Sequence, residues 1–185
     1  MKRGLIPVAL AYLFAFSASG AGAFELKSPD ISSGQKIGEK FVYNSFGCKG
    51  ENLSPALEWS DAPAGTKSFA VLVHDPDAPT GGAGFWHWIV TDIPASAHGL
   101  PQGAGSADGK LLPPGAKQYE ADFGEPVYGG PCPPPGHGAH RYNFTVYALP
   151  VETLGLPANA KAAIIGFTAN SKALAKATLT ATYGR

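Results

Sequence analysis

The chain has 185 residues, 44% of them apolar by type and only 15% charged, with 14 basic side chains against 14 acidic. That balance excludes an intrinsically disordered chain, which needs fewer apolar groups and more net charge. The length suits one domain with a real hydrophobic core. The 24 glycines and 17 prolines predict many turns and long ordered loops, which favours a β architecture over a helical bundle.

Residues 1–23 read as a targeting segment. Lys2 and Arg3 form a positive head, Gly4 to Ser19 is almost entirely apolar or small, and Ala21-Gly22-Ala23 gives a small-x-small cleavage pattern. The apolar run is short for a membrane-spanning helix. Cleavage after Ala23 leaves a mature domain over residues 24–185, with 12 basic against 14 acidic side chains and no basic stripe. Nucleic acid is therefore not an expected partner. No other segment approaches membrane length, so the expected localisation is periplasmic or secreted.

Cys48 and Cys132 are the two cysteines, and neither sits in a C-x-x-C pair, so a cysteine-built zinc site is not expected. Export to an oxidising compartment makes a disulfide between them the expectation, against two buried free thiols.

Several runs read as strands from their β-branched and aromatic content. In chain order these are Lys40–Tyr43, Phe69–His74, Phe85–Val90, His140–Leu149 and Thr178–Tyr183. Turn-rich stretches, Asp75 to Gly84, Pro94 to Gly115 and Gly129 to Gly138, lie between them. The helical region is Ala158–Ala177, rich in alanine, lysine and leucine, with Gly166 expected to break it in two. Helix comes late and does not alternate with strands. That excludes a doubly wound parallel fold and gives the fold class as mainly β, an antiparallel β-sandwich with short peripheral C-terminal helices.

Three segments carry polar chemistry. Asp75-Pro-Asp-Ala-Pro79 follows an apolar strand at its exit; by itself, Asp-Pro-Asp is often only a turn. In Phe85-Trp-His-Trp88, alternation puts His87 on the face of Phe85 and Ile89, opposite Trp86 and Trp88. A lone histidine there is more often a hydrogen-bonded core residue than a ligand. In the proline-rich stretch Tyr128 to Tyr142, His140 and Tyr142 share one strand face, while Arg141 turns to the other and is expected to pair with a carboxylate such as Asp77.

Together, Asp75-Pro-Asp-Ala-Pro79, the His87 strand and Gly138-Ala-His-Arg-Tyr142 resemble the two signature regions of the phosphatidylethanolamine-binding proteins. Phe46 to Trp59 and Asp122-Phe-Gly124 resemble the bacterial Raf-kinase-inhibitor-like branch. The resemblance implies a large antiparallel sheet packed on a smaller one. It also implies a pocket for phosphate or phosphorylethanolamine-type head groups, lined by Asp75, Pro79, His87, Pro133, His140 and Tyr142. Two imidazoles and a phenol can donate hydrogen bonds to phosphate oxygens, and more strongly when the imidazoles are protonated. Asp75 repels an anion, so its expected role is to orient or protonate a histidine.

Two other functional classes compete. Family relatives that inhibit kinases or proteases make a protein-interaction inhibitor the alternative, with the pocket as a regulatory site and the protein partner unknown. An enzyme would need Asp75, His87 and His140 as metal ligands or acid and base, or Cys132 as a free nucleophile. The chain carries no Gly-x-Ser-x-Gly elbow, His-Glu-x-x-His helix or Walker loop. Catalysis, a metal and a cofactor are accordingly not expected.

Overall fold

The structure is a computed structural model and describes residues 22–185. The expected targeting segment, apart from Gly22 and Ala23, lies outside the described residues. The described residues form eight strands and one α-helix: β1 (Glu25–Lys27), β2 (Leu57–Ser60), β3 (Ser68–Asp75), β4 (Phe85–Pro94), β5 (Gly99–Leu100), β6 (Lys117–Gln118), β7 (His140–Leu149), α1 (Ala162–Lys172) and β8 (Ala175–Tyr183). They form two antiparallel sheets, a small one in the order β1-β2-β5 and a large one in the order β6-β4-β3-β7-β8. The fold is the antiparallel β-sandwich read from the sequence.

Strand β3 is central, and Phe69 to Val73 are all buried, which explains their unbroken apolar run. Its two faces feed two cores. Phe69, Val71 and Val73 join Trp88, Val90, Phe144 and Val146 against Leu57, Trp59 and Leu100 of the small sheet. Ala70 and Leu72 join Ile89, Tyr147 and Ile165 beneath α1. Each large apolar side chain buried this way contributes about 1.5–3 kcal/mol. Strand β8 lies at the sheet edge and alternates cleanly, burying Ala177, Leu179, Ala181 and Tyr183 between wetter residues.

Three sequence expectations are corrected. Lys40–Tyr43 is not a strand: Glu39–Phe41 form a 3-10 turn after Gly38, with the Phe41 N–H donating to the Gly38 carbonyl at 3.0 Å. The apolar content there reflects burial of Phe41 and Val42, not extension. The helical region is a single helix, and Gly166 sits unbroken within it. A Cβ at Gly166 would lie 2.8 Å from the Trp86 ring, so glycine is there to let the helix lie flat on the sheet. The last residues of the expected helix belong instead to β8.

The third correction concerns β4. Val73 pairs with Trp88 but His74 pairs with Trp86, so β4 carries an extra residue at His87. The bulge resets the alternation. Trp88 packs with Val90 in the inter-sheet core, while Trp86 packs with Ile89 on the helix side. His87 shares its side with Phe85, as expected, but not with Ile89.

Candidate functional site

Antiparallel pairing brings three chain segments to one end of the large sheet. The exit of β3 meets the start of β4 through Asp75 and Phe85, and His74 pairs with Asn143 near the start of β7. Asp75, His87, His140 and Tyr142 are thereby gathered from residues scattered over the sequence, and each is at most 4% exposed. They line one cavity of about 160 Å³, together with Pro79 and Pro133. Phe46, Phe85 and Phe123 supply its aromatic walls.

The bulge at His87 aims its ring at the loop after Tyr128. The His87 Nδ1–H donates to the Gly129 carbonyl at 2.7 Å, and a carbonyl only accepts, so this bond fixes the tautomer. Burial pushes the His87 pKa down to about 4, against a smaller upward pull from the Gly129 carbonyl. His87 is therefore neutral around pH 7, and its Nε2 is an acceptor with no hydrogen bond among the described residues. The expectation that both imidazoles can donate to an anion does not hold at His87, whose one N–H is committed to Gly129. Gly129 has a second duty, because a Cβ there would collide with the Phe123 ring that walls the cavity.

Asp75 Oδ2 accepts from the His140 Nδ1–H at 2.7 Å, and Asp75 Oδ1 accepts from the Asp77 N–H at 2.8 Å. Both carboxylate oxygens are thus engaged inside the protein, and the carboxylate holds the His140 ring. The far nitrogen of that ring, Nε2, lies 2.7 Å from Nδ1 of His137. The result is a linear array, carboxylate to imidazole to imidazole, running from the buried sheet end out to an exposed loop residue. When His140 is neutral its Nε2 accepts from His137; when it is protonated it donates to His137. Sequence reasoning missed His137. The only available signal was its spacing of three from His140 in a Gly-x-Gly stretch, Gly136-His-Gly138.

Tyr142 is 1% exposed, and its hydroxyl has no hydrogen-bond partner among the described residues. Burial, with the Asp75 charge second, pushes its pKa well above the usual tyrosine value. The phenol is therefore fully protonated and able to donate. Its ring meets His87 edge-on at 5.1 Å between centroids.

Arg141 lies outside the cavity. Its guanidinium donates to both oxygens of Asp77, at 2.9 and 2.6 Å. The bonds from Arg141 hold the Asp77 carboxyl down to about 2, below the usual carboxylate range. This is the structural pair expected from strand alternation; it staples the Asp-Pro-Asp turn to the start of β7. Arg185 performs the same service on the other wall, donating from Nε to the Pro133 carbonyl at 2.7 Å and from an Nη to the Phe46 carbonyl at 3.1 Å.

Cys48 and Cys132 are bridged, with Cα atoms 6.0 Å apart. The thiol route to catalysis is thereby closed, since a bridged Cys132 has no thiolate to offer. Among the described residues, no group of three or more His, Cys, Asp or Glu side chains is placed to hold a metal ion. Nor is any helix there long and apolar enough to cross a membrane.

A two-sheet antiparallel sandwich hosts many unrelated activities, so the fold alone does not define what the pocket at the end of the large sheet does. The phosphatidylethanolamine-binding protein family model matches residues 27–184, and the chain belongs to that family. It is 45% identical to Escherichia coli YbcL over 183 residues, covering 99% of this chain and 98% of YbcL. It is also 45% identical to Escherichia coli YbhB over 159 residues, covering 86% of this chain and 99% of YbhB. The crystal structure of YbcL, described as a member of the mammalian family, superposes with a TM-score of 0.85 over 89% of this chain and 99% of that one. A homologue from Chlamydia trachomatis, CT736, is 31% identical with a TM-score of 0.73, covering 88% of this chain and 98% of that one.

Proposed function

We propose that this protein is exported and binds a small phosphate-bearing ligand, inorganic phosphate or a phosphorylethanolamine-type head group, in the cavity at the end of the large sheet. The observation that carries this reading is an uncommitted buried donor on the cavity wall. The Tyr142 hydroxyl hydrogen-bonds to nothing among the described residues, although buried polar groups are almost always paired, and it stands beside the His87 ring, whose Nδ1–H is committed to Gly129. The phenol donates to a phosphate oxygen. The neutral imidazole accepts from the hydroxyl of a protonated phosphate, so the two groups together suit a phosphate that keeps at least one proton.

The cavity volume of about 160 Å³ holds roughly five waters at ~30 Å³ each, enough for a head group. Export is supported by the leader pattern, by the alignment with YbcL that runs through that leader, and by the Cys48–Cys132 bridge.

Calorimetric titration with inorganic phosphate and with phosphorylethanolamine at pH 7 tests the binding. Wild type is expected to bind at least one of them, and Tyr142→Phe to bind it more than tenfold more weakly. Heats indistinguishable from dilution for both ligands would refute the reading. Fractionation of the bacterium that carries the protein tests export, with the processed chain expected outside the cytoplasm.

A further inference from the structure

The outer face of the large sheet carries a second groove, built by strand register. His74 pairs with Trp86 on one side and Asn143 on the other, and Asn143 pairs with Thr180, so four side chains form one row across β4, β3, β7 and β8. Two residues along, Leu72, Thr145 and Thr178 form a second row, and Tyr147 and Lys176 a third. All three rows contribute to an open groove of about 300 Å³. Helix α1 bounds it, with Gly166 against the Trp86 ring and Asn170 Oδ1 accepting from Lys176 Nζ at 2.8 Å. The groove shares no lining residue with the cavity at the end of the sheet.

Its polar groups leave much of their hydrogen-bonding capacity unused. Tyr147 is only 9% exposed, yet its hydroxyl has no hydrogen-bond partner among the described residues. Burial raises its pKa, so the phenol keeps its proton and can donate. Asn143 Oδ1 accepts from the Thr180 hydroxyl at 2.8 Å, which leaves the amide donors of Asn143 free. The His74 Nε2–H donates to the Ala83 carbonyl at 3.1 Å, which leaves Nδ1 as an acceptor. The Thr145 and Thr178 hydroxyls bond to each other at 2.9 Å, and only one of their two hydrogens is used in that bond. Between these groups lie apolar surfaces, the Leu72 side chain and the paired rings of His74 and Trp86, 4.3 Å between centroids. Lys176 is the one Lys, Arg, Asp or Glu lining the groove, and its bond goes to an asparagine, so its charge meets no carboxylate there.

We infer that this groove is a second binding site, for an acidic oligosaccharide: a short chain of sugar rings that carry carboxylates. Sugar hydroxyls both donate and accept, and the C–H faces between them pack on apolar and aromatic surfaces; the groove supplies both kinds of contact along its length. An aliphatic ligand would leave the Tyr147, Asn143 and Lys176 donors unpaired beneath it, at a cost for each. A polyphosphate would call for several cationic donors, where the groove has one lysine. Lys176 suits one carboxylate at the α1 end. Trp86 and Lys176 mark opposite corners: three strand spacings of ~4.8 Å and four rises of ~3.4 Å separate them by roughly 20 Å. That span takes several sugar rings rather than one.

Calorimetry at low salt with tetragalacturonate and with its fully methyl-esterified form tests the site, since esterification keeps the rings and removes the charges. Wild type, Tyr147→Phe and Lys176→Gln are compared. Both variants are expected to melt within about 2 °C of wild type, because one keeps the buried ring and the other alters an exposed side chain. Wild type should bind the acid about three- to fivefold more tightly than the ester. Lys176→Gln should bring the acid down to the ester and leave the ester unchanged. Tyr147→Phe should weaken both about fivefold. Inorganic phosphate should displace neither ligand and should bind both variants within twofold of wild type. No binding of either form by wild type would overturn the site, and so would affinities that neither substitution changes. Equal binding of acid and ester by wild type would overturn the acidic class. Displacement by phosphate, or a loss in Tyr142→Phe as large as in Tyr147→Phe, would put the sugar in the other cavity and overturn the inference.

Discussion

Replacing Tyr142 with phenylalanine is expected to move stability and binding in opposite directions. The side chain is 1% exposed, and its hydroxyl has no partner among the described residues, so the folded chain bears the desolvation of that group without a compensating bond. An unsatisfied buried hydroxyl costs about 1–3 kcal/mol. Phenylalanine keeps the ring and its edge contact with His87, 5.1 Å between centroids, so packing is unchanged. Taking the low end, Tyr142→Phe should gain about 1 kcal/mol, which raises the melting temperature of a chain this size by roughly 2–4 °C. In the bound state the same hydroxyl donates to a charged oxygen, a bond worth about 1.5–3 kcal/mol. Its loss should weaken phosphate binding by about 10- to 150-fold. Thermal melts with and without phosphate, paired with calorimetry, measure both effects. A lowered melting temperature would show that the hydroxyl is already satisfied, and an unchanged affinity would show that it does not touch the ligand.

Three further predictions follow from the packing and the ionisations. Gly166→Ala should lower stability by about 1–3 kcal/mol in urea unfolding despite better helix propensity, because the new Cβ meets the Trp86 ring at 2.8 Å. His87, held down to about 4, contributes stability that is fully present above the unfolded value near 6.5 and is lost as pH falls toward 4. Urea unfolding at pH 7 and pH 4.5 should therefore differ by up to about 3 kcal/mol, and His87→Gln should flatten that difference. Reducing the Cys48–Cys132 bridge, which spans a sequence separation of 84, should cost up to about 4.5 kcal/mol by loop-closure entropy. A melt in reductant that matches the oxidised one would contradict it.

The parts legible in the sequence were those in which each residue's neighbours decide its fate. Strands β3, β7 and β8 were readable because an apolar run or a clean period of two survives in each. The outward turn of Arg141 and its pairing with Asp77 were readable for the same reason, since the start of β7 alternates without interruption. The small sheet was not legible, because β1, β2 and β5 are only 3, 4 and 2 residues long, too short to show a period. At His87 alternation itself misled, because one extra residue reverses the faces of Trp88 to Val90 that follow it, and only the partner strand reveals the insertion. Gly166 looked like a helix breaker because propensity is local, whereas the reason for glycine is a tryptophan ring 80 positions away in sequence. Cavity-lining residues were nameable only through the resemblance of their motifs to the family's signature regions. The neutral state of His87 and the contact of His137 with His140 depend on three-dimensional neighbours, Gly129 and a turn around Gly136, that no spacing encodes.

The central claim is that the cavity at the end of the large sheet binds phosphate through Tyr142 and His87. Its most direct test is an NMR titration with inorganic phosphate at pH 7, following the side-chain signals of Tyr142, His87, His140 and His137. The account predicts saturable shifts at all four, largest at Tyr142 and His87, and their loss at His87 in the Tyr142→Phe protein. Saturable shifts confined to surface lysines and arginines, with Tyr142 and His87 unmoved, would contradict it.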